Sequence, residues 1–300
     1  TAGFYEGETA ELLVKEVRAR GGIITLDDLK NYTVYRRRPL RGSYRGHEIL
    51  TVPPPSAGGV ALVQGLNVLE ALDVPGMGVG SARLVHHVSE AMRRAFADRW
   101  RWLGDPAFAK DMPVERLVSK EYAAELRKTI RADRASVSSP ESFEWPAESE
   151  ETTHFSVVDA DRNAVSLTYT LEDNYGSKIV VPGAGFLLND EMGDFNAGPG
   201  LTDASGLVGT EANLARPGRR MLSSMTPTIV VKEGRPYLVT GSLGGRTIPS
   251  TVLLTVLNVL DFGMNPQEAI DAPRFHHQWL PDAIHYERHG LSADTREALI

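Results

Sequence analysis

Apolar residues recur at helical spacing in the first half of the chain. Residues 9–20 carry an apolar stripe of this kind, and residues 60–73 carry another, directly after a proline- and glycine-rich run at 53–59. A longer helix is predicted to begin after Ser81, which suits the N-cap position, and to end at Gly104. These patterns predict a mainly helical first half.

Alternating apolar and polar positions predict strands elsewhere. Short strands joined by a turn are predicted within residues 35–52. After the middle of the chain, strands are predicted at 154–159, 164–170, 185–189, 228–232 and 237–240. Helices follow at 249–262 and 292–300. Helices before and after a group of strands predict a layered α+β or α/β arrangement.

A polar segment at residues 135–151 separates the two halves. It is rich in Ser, Pro and Glu and has no periodic apolar pattern, so we expect an exposed linker. The strands begin immediately after it.

The first two strands after the linker form a predicted hairpin. Residues 159–163 are turn formers, and a three-residue loop centred on Asp161 places Thr152 opposite Thr170. In this register the hydroxyl-bearing side chains share one face and the apolar side chains share the other. We expect the apolar face to lie in a core.

Thr152 has two interpretations. It can be an ordinary strand residue, since threonine favours strands. Alternatively, cleavage of the chain before Thr152 would create an N-terminal threonine whose own amine activates its hydroxyl. The second interpretation suits a chain that has no cysteine and no Gly-x-Ser-x-Gly motif.

Composition narrows the function classes. The 300 residues carry a net charge of −7, which argues against nucleic-acid binding. No apolar run is long enough to span a membrane. The absence of cysteine excludes disulfides and thiolate metal sites. The adjacent His86 and His87 point to different sides of a predicted helix, and His276-His277 has no acidic or cysteine partner at ligand spacing, so no metal site is predicted. Trp100 is interpreted as a packing residue.

Several motifs resemble one known family. They occur in order along the chain at residues 53–59, 152–159, 168–170, 185–195, 222–227, 240–245 and 272–278. Thr152-Thr153-His154-Phe155-Ser156-Val157-Val158-Asp159 is similar to the start of the small subunit of γ-glutamyltranspeptidases, and 53–59 resembles a large-subunit segment. The resemblance covers essentially the whole chain.

The resemblance implies an α+β fold of the N-terminal-nucleophile hydrolase type, a four-layer αββα sandwich with two mostly antiparallel sheets flanked by helices. It implies autocatalytic cleavage between Glu151 and Thr152. Residues 1–151 would then be the C-terminal portion of a large subunit, and residues 152–300 would be a small subunit. The N-terminal part of the large subunit and the C-terminal end of the small subunit are expected to be missing from this chain.

The resemblance also implies roles for individual residues. Thr152 would attack the γ-carbonyl of glutathione or another γ-glutamyl amide, and Thr170 would orient it. The backbone N–H groups of Gly244 and Gly245 would form the oxyanion hole. The remaining implied contacts are to the glutamyl group, whose α-ammonium would meet Glu191 and Asp194 and whose α-carboxylate would meet Ser223 and Ser224.

Three departures from the family pattern stand out. Glu172 occupies a position where many members have Asn, and a third carboxylate is expected to crowd like charges so that one group titrates anomalously. Residues 196–206 contain no tyrosine where some members have a lid tyrosine, which predicts a bias toward hydrolysis. The arginine that pairs with the substrate carboxylate in the family lies upstream of this sequence.

The expected partners are a γ-glutamyl substrate such as glutathione, an amino-acid or dipeptide acceptor, and the second subunit of a processed heterodimer. No cofactor is expected, and the resemblance implies a periplasmic or secreted location. Two alternatives stay open. One is an amidase like the glutaryl-cephalosporin acylases with the same nucleophile, and the other is a non-catalytic relative that is never processed.

Overall fold

The computed structural model describes residues 2–138, 152–196 and 211–300. In chain order its helices and strands are α1 (Ala2–Tyr5), α2 (Glu8–Ala19), α3 (Leu26–Lys30), β1 (Leu40–Tyr44), β2 (His47–Thr51), α4 (Gly58–Glu70), α5 (Ala82–Trp102), α6 (Val114–Leu117), α7 (Lys120–Arg127), β3 (Thr152–Val158), β4 (Ala164–Thr170), β5 (Thr228–Lys232), β6 (Arg235–Thr240), α8 (Ile248–Leu260), α9 (Pro266–Asp271), β7 (Phe275–His276), β8 (His285–Tyr286) and α10 (Ala293–Leu299).

An antiparallel sheet in the order β1-β2-β5-β6 forms the centre of the described structure. Its inward side chains, Tyr44, Ile49 and Val230, are buried with apolar residues of α4, α5 and α8. Burial of this apolar surface is the main force that holds the helices on the sheet. The predicted helices at 9–20, 60–73, after Ser81, at 249–262 and at 292–300 are confirmed with small shifts at their ends.

Helix α4 begins where the backbone comes unusually close to its neighbours. A Cβ on Gly58 would lie 2.1 Å from Thr226 Oγ1, and one on Gly59 would lie 2.0 Å from the carbonyl oxygen of Val52. Only glycine therefore fits at these two positions. The close approach brings the proline- and glycine-rich run against the segment that contains Ser223.

The β3–β4 hairpin has the predicted register, with Thr152 opposite Thr170. The prediction that its apolar face lies in a core is wrong. Phe155 is 48% exposed, Val157 51% and Tyr169 62%. The hydroxyl face packs against the four-stranded sheet instead, because its side chains bond the main chain of β5 and β6.

Two serines make this contact. Ser166 Oγ donates to the carbonyl oxygen of Thr240 at 2.8 Å and accepts from the N–H of Thr228 at 3.0 Å. Ser156 Oγ donates to the carbonyl oxygen of Val239 at 3.0 Å. Main-chain groups of β5 and β6 gain side-chain hydrogen-bond partners in this way.

One further expectation needs correction. Residues 185–189 form no regular strand; they contribute only the isolated bridge between Val180 and Leu187. At the start of the linker, Val137 is 84% exposed, while the N–H of Ser136 bonds Glu90 and the N–H of Ser138 bonds Asp282. The rest of the linker, 139–151, lies outside the described residues and includes Glu151.

Candidate active site

Thr152 is the first residue of β3, and its Oγ1 donates to Thr170 Oγ1 at 3.3 Å. Thr170 is the last residue of β4, and its Oγ1 also accepts from the N–H of Glu172 at 2.8 Å. The strand register, fixed by the hairpin turn, therefore places a second hydroxyl beside that of Thr152.

The two threonines open into a cavity of about 260 Å³. It is lined by Thr152, Thr170, Glu172, Asp173, Glu191, Gly193, Asp194, Ser223, Ser224, Met225, Gly245, Arg246 and Ile248. The structure thus brings together, around one cavity, every site residue predicted from the sequence except Gly244, which directly precedes Gly245, and Glu151, which lies outside the described residues.

Three carboxylates form one side of the cavity. One oxygen from each of Glu172, Glu191 and Asp194 lies within 4.8 Å of the others. Burial, and then the charge of Asp194, raise the pKa of Glu172 to about 8 and that of Glu191 to about 7. The raised pKa values agree with the anomalous titration expected for this cluster, because desolvation and like charges both disfavour ionisation.

This carboxylate group suits a cation. Oxygen ligands of this kind can hold a hard metal ion or an ammonium group. Glu191 and Asp194 lie on a single 3₁₀ turn. The carboxylate of Glu172 lies close to Gly193 of this turn, where a Cβ would come within 2.9 Å of it.

Ser223 and Ser224 line the cavity as a short main-chain segment held by the run 53–59. The N–H of Ala57 donates to the carbonyl oxygen of Ser223 at 2.8 Å. The N–H of Ser223 donates to the carbonyl oxygen of Pro55 at 3.2 Å. Ser56 Oγ donates to the carbonyl oxygen of Met225 at 2.6 Å. These bonds hold the main chain that carries both hydroxyls.

Gly244 and Gly245 lead into the N-terminus of α8. Gly244 has φ 120° and Gly245 has φ 53°, which favour glycine over residues that carry a side chain. A Cβ on Gly244 would also lie 2.5 Å from Thr247 Oγ1. Backbone N–H groups that precede a helix are well placed to meet negative charge.

Sequence reasoning missed two arginines near the cavity. Arg246 lines it directly after the glycine pair, and Arg99 Nη2 donates to Ser224 Oγ at 3.0 Å. Their guanidinium carbons lie 4.9 Å and 4.3 Å from the ring centre of Trp100, which packs as predicted. For Arg246, its place after the glycine pair was an available signal. For Arg99 there was none, since a basic residue on a helix is usually solvent-exposed.

The histidine pairs serve as structural residues in the described chain. His276 is buried between Ser250 Oγ, at 2.7 Å, and Gln278 Oε1, at 2.8 Å. Burial lowers the pKa of both His276 and His277 to about 4. His277 contacts Asp282, and His87 bonds the carbonyl oxygen of Arg83 within its own helix.

Comparisons with known proteins agree with this geometry. A family model described as gamma-glutamyltranspeptidase matches residues 1–300. The chain is 47% identical to a glutathione hydrolase proenzyme of Pseudomonas sp. (strain A14), matching 100% of this chain and 52% of the relative. It is 48% identical to a glutathione hydrolase proenzyme of Escherichia coli (strain K12), matching 99% of this chain and 51% of the relative.

Among solved structures, the chain is similar to the crystal structure of a cephalosporin acylase from Bacillus halodurans. The TM-score is 0.83 at 27% sequence identity, over 99% of this chain and 51% of that chain. The fold and the threonine site therefore define an α+β protein of the N-terminal-nucleophile hydrolase class. Within that class, the chain belongs to the γ-glutamyltranspeptidase family. It spans about half the length of the relatives it matches.

A search of the described residues for membrane-spanning segments found no helix with the length and apolar character to cross a bilayer.

Proposed function

We propose that this protein is a γ-glutamyl transferase and hydrolase with Thr152 as its nucleophile. One observation carries the proposal. Thr152 and Thr170 meet at the end of a hairpin, in a cavity that a carboxylate cluster and two serines also line. The relatives named glutathione hydrolase proenzyme support the same activity.

Maturation is proposed to begin at the bond between Glu151 and Thr152. Thr152 Oγ1 attacks the Glu151 carbonyl carbon, the peptide C–N bond breaks as an ester forms, and water then hydrolyses the ester. The products are residues 1–151, with a new carboxylate, and residues 152–300, with a free amine on Thr152. The two pieces would stay together as a heterodimer, which their shared sheet supports, since β2 pairs with β5 across the cut.

In turnover, Thr152 Oγ1 would attack the γ-carbonyl of the substrate while the Thr152 amine takes the hydroxyl proton. The N–H groups of Gly244 and Gly245 would stabilise the oxyanion, a contribution of about 3 kcal/mol for each donor. The protonated amine then gives its proton to the leaving nitrogen as the C–N bond breaks. Water or an acceptor amine attacks the resulting ester and releases Thr152.

Recognition is proposed to use opposite sides of the cavity. The substrate's α-ammonium would face Glu172, Glu191 and Asp194, and its α-carboxylate would accept hydrogen bonds from Ser223 and Ser224. Glutathione carries this γ-glutamyl group, so it is the proposed substrate, with amino acids or dipeptides as acceptors. We also propose a location outside the cytoplasm and a bias toward hydrolysis. These two proposals rest on the family resemblance. The hydrolysis bias follows from the absence of a tyrosine in residues 196–206, of which 197–206 lie outside the described residues.

The main test uses the full-length protein. Mass spectrometry should find a chain that begins at Thr152, and Thr152→Ala should abolish both cleavage and turnover of a γ-glutamyl anilide. Retained turnover in that variant would overturn the mechanism. A single uncut band in the unsubstituted protein would favour the non-catalytic alternative.

A cephalosporin-acylase-like amidase is the second candidate, supported by the structural similarity to the Bacillus halodurans acylase. The carboxylate cluster favours the γ-glutamyl proposal, because an acyl group without an ammonium would face uncompensated negative charge. Hydrolysis of γ-glutamyl and glutaryl anilides should be compared. Faster hydrolysis of the glutaryl anilide would favour the acylase.

A further inference from the structure

The hydroxyl groups of Ser223 and Ser224 are both engaged by fixed hydrogen-bond donors. Ser224 Oγ accepts from Arg99 Nη2 at 3.0 Å, and Ser223 Oγ accepts from the N–H of Met225 at 3.2 Å. A guanidinium group has donors and no acceptor, so the Ser224 hydroxyl cannot give its hydrogen to Arg99. That hydrogen is left for an acceptor in the cavity that Ser224 lines.

Arg99 is held firmly enough to set the direction in which the Ser224 hydroxyl donates its hydrogen. It is 2% exposed, on helix α5, and its guanidinium lies over the rings of Phe96, at 5.7 Å, and Trp100, at 4.3 Å. Such stacking fixes the plane of a guanidinium and hence the direction of its N–H bonds. The donor to Ser224 is therefore built into the core of the helix layer.

A second arginine lies beside Arg99. Arg246 lines the cavity and shares the Trp100 ring with Arg99. The pKa of the buried His276 is lowered mainly by burial and further by the charges of His285, Arg99 and Arg246. Arg99 and Arg246 thus lie beside a cavity that Glu172, Glu191 and Asp194 also line.

We propose that Arg99 is a positioning residue that turns the Ser224 hydroxyl toward the substrate's α-carboxylate, and so makes the site selective for acyl groups that carry one. This inference rests on the proposed function for the placement of the glutamyl group. It assigns the selectivity to a residue that does not itself touch the substrate.

The test compares two ligands that differ only in the carboxylate in question. L-glutamate has an α-carboxylate, whereas 4-aminobutyrate has the same chain and amine without it. Calorimetry on the full-length protein as purified should show that L-glutamate binds more tightly than 4-aminobutyrate. In Arg99→Met, we expect about tenfold weaker binding of L-glutamate and unchanged binding of 4-aminobutyrate, since a hydrogen bond to a charged group is disturbed.

Three further variants separate positioning from a general structural role. Arg101→Met removes another arginine of α5, one that lies over Trp102 at 4.9 Å, and should leave the selectivity unchanged. Arg99→Lys keeps a cationic donor and should retain part of the selectivity. Ser224→Ala should lose the same part of the selectivity as Arg99→Met, and combining the two substitutions should cause no further loss.

Several results would overturn the inference. They are equal weakening of both ligands in Arg99→Met, additive losses in the double variant, or no selectivity in the unsubstituted protein. If Arg99→Met fails to fold, a folded Arg99→Lys that changes selectivity no more than Arg101→Met would also overturn it. Because the binding assay needs no turnover, selective binding without anilide hydrolysis would reject the proposed function and leave this inference standing.

Discussion

At the scale of single residues, Glu172 connects the threonine pair to the carboxylate cluster. Its N–H bonds Thr170 Oγ1, and its backbone has a positive φ of 74°, which turns the chain sharply at the end of β4. The turn directs its carboxylate toward Glu191 and Asp194. Glu172 thereby becomes part of the cavity wall.

The raised pKa values predict a pH dependence of substrate use. Below about pH 7 the carboxyls of Glu172 and Glu191 are protonated, and they gain charge as the pH rises through about 7 and 8. We expect kcat/KM for a γ-glutamyl anilide to rise over this window, because ionised carboxylates bind the ammonium. Glu172→Gln should remove the upper part of the rise.

A glutaryl anilide is the control, since it lacks the ammonium but still requires the Thr152 amine. A rise of the same size with both anilides would assign the pH dependence to the amine alone.

The stability of the fold should depend on the same two carboxyls. Raised pKa values mean that the folded protein binds protons more tightly than the unfolded chain, so these groups destabilise the fold as pH rises from about 4.5 through 8. Glu172→Gln should therefore raise Tm at pH 9 and change it little at pH 4.

At the scale of elements, the position of the hairpin on the sheet decides where Thr152 lies. His154 sits on the hydroxyl face of β3, with Nδ1 2.9 Å from Thr168 Oγ1 and Nε2 3.1 Å from Ser156 Oγ. Gly241, directly after β6, makes room for it, since a Cβ there would lie 2.2 Å from His154 Nδ1. The hairpin can approach the sheet only because this side chain is absent.

Gly241→Ala should push the hairpin away from the sheet. We expect a loss of about 1–3 kcal/mol in the free energy of unfolding, as is typical of overpacking, together with a lower kcat, because Thr152 moves relative to Gly244 and Gly245. Urea unfolding and anilide turnover measure the two effects. Gly3→Ala is the matched control, since nothing lies within 4 Å of a Cβ at that position. Equal stability of the two variants would contradict this account.

At the scale of the whole molecule, the outer face of the hairpin is an exposed apolar surface. It consists of Phe155, Val157, Val165, Leu167 and Tyr169, all of them exposed. Apolar patches of this kind on isolated chains promote association.

We predict that the 300-residue chain, produced alone, self-associates through this face. Val157→Lys combined with Leu167→Lys should shift it toward a monomer in light scattering after gel filtration, because charges on a strand face oppose contact between sheets. Lys substitutions at the exposed Ile23 and Val79, far from the hairpin in sequence, are the control. A monomeric unsubstituted chain would reject the prediction.

The sequence by itself determined the hairpin register, the long helices and the family. These features are local or ordered along the chain. A turn between alternating strands fixes which residues pair, and a capped apolar stripe fixes a helix. The motifs at Thr152, Ser223 and Gly244 needed no coordinates to be recognised.

Only the tertiary structure decided which face of the hairpin packs on the sheet and that residues 185–189 form no strand. It also decided that Arg99 reaches Ser224. The physical reason is the same in each case. Alternation shows that two faces differ but not which one finds hydrogen-bond partners, and residues far apart in sequence meet only when packed helices and strands bring them together. For Thr152, the sequence supplied its opposite partner, and the fold supplied the cavity that surrounds both.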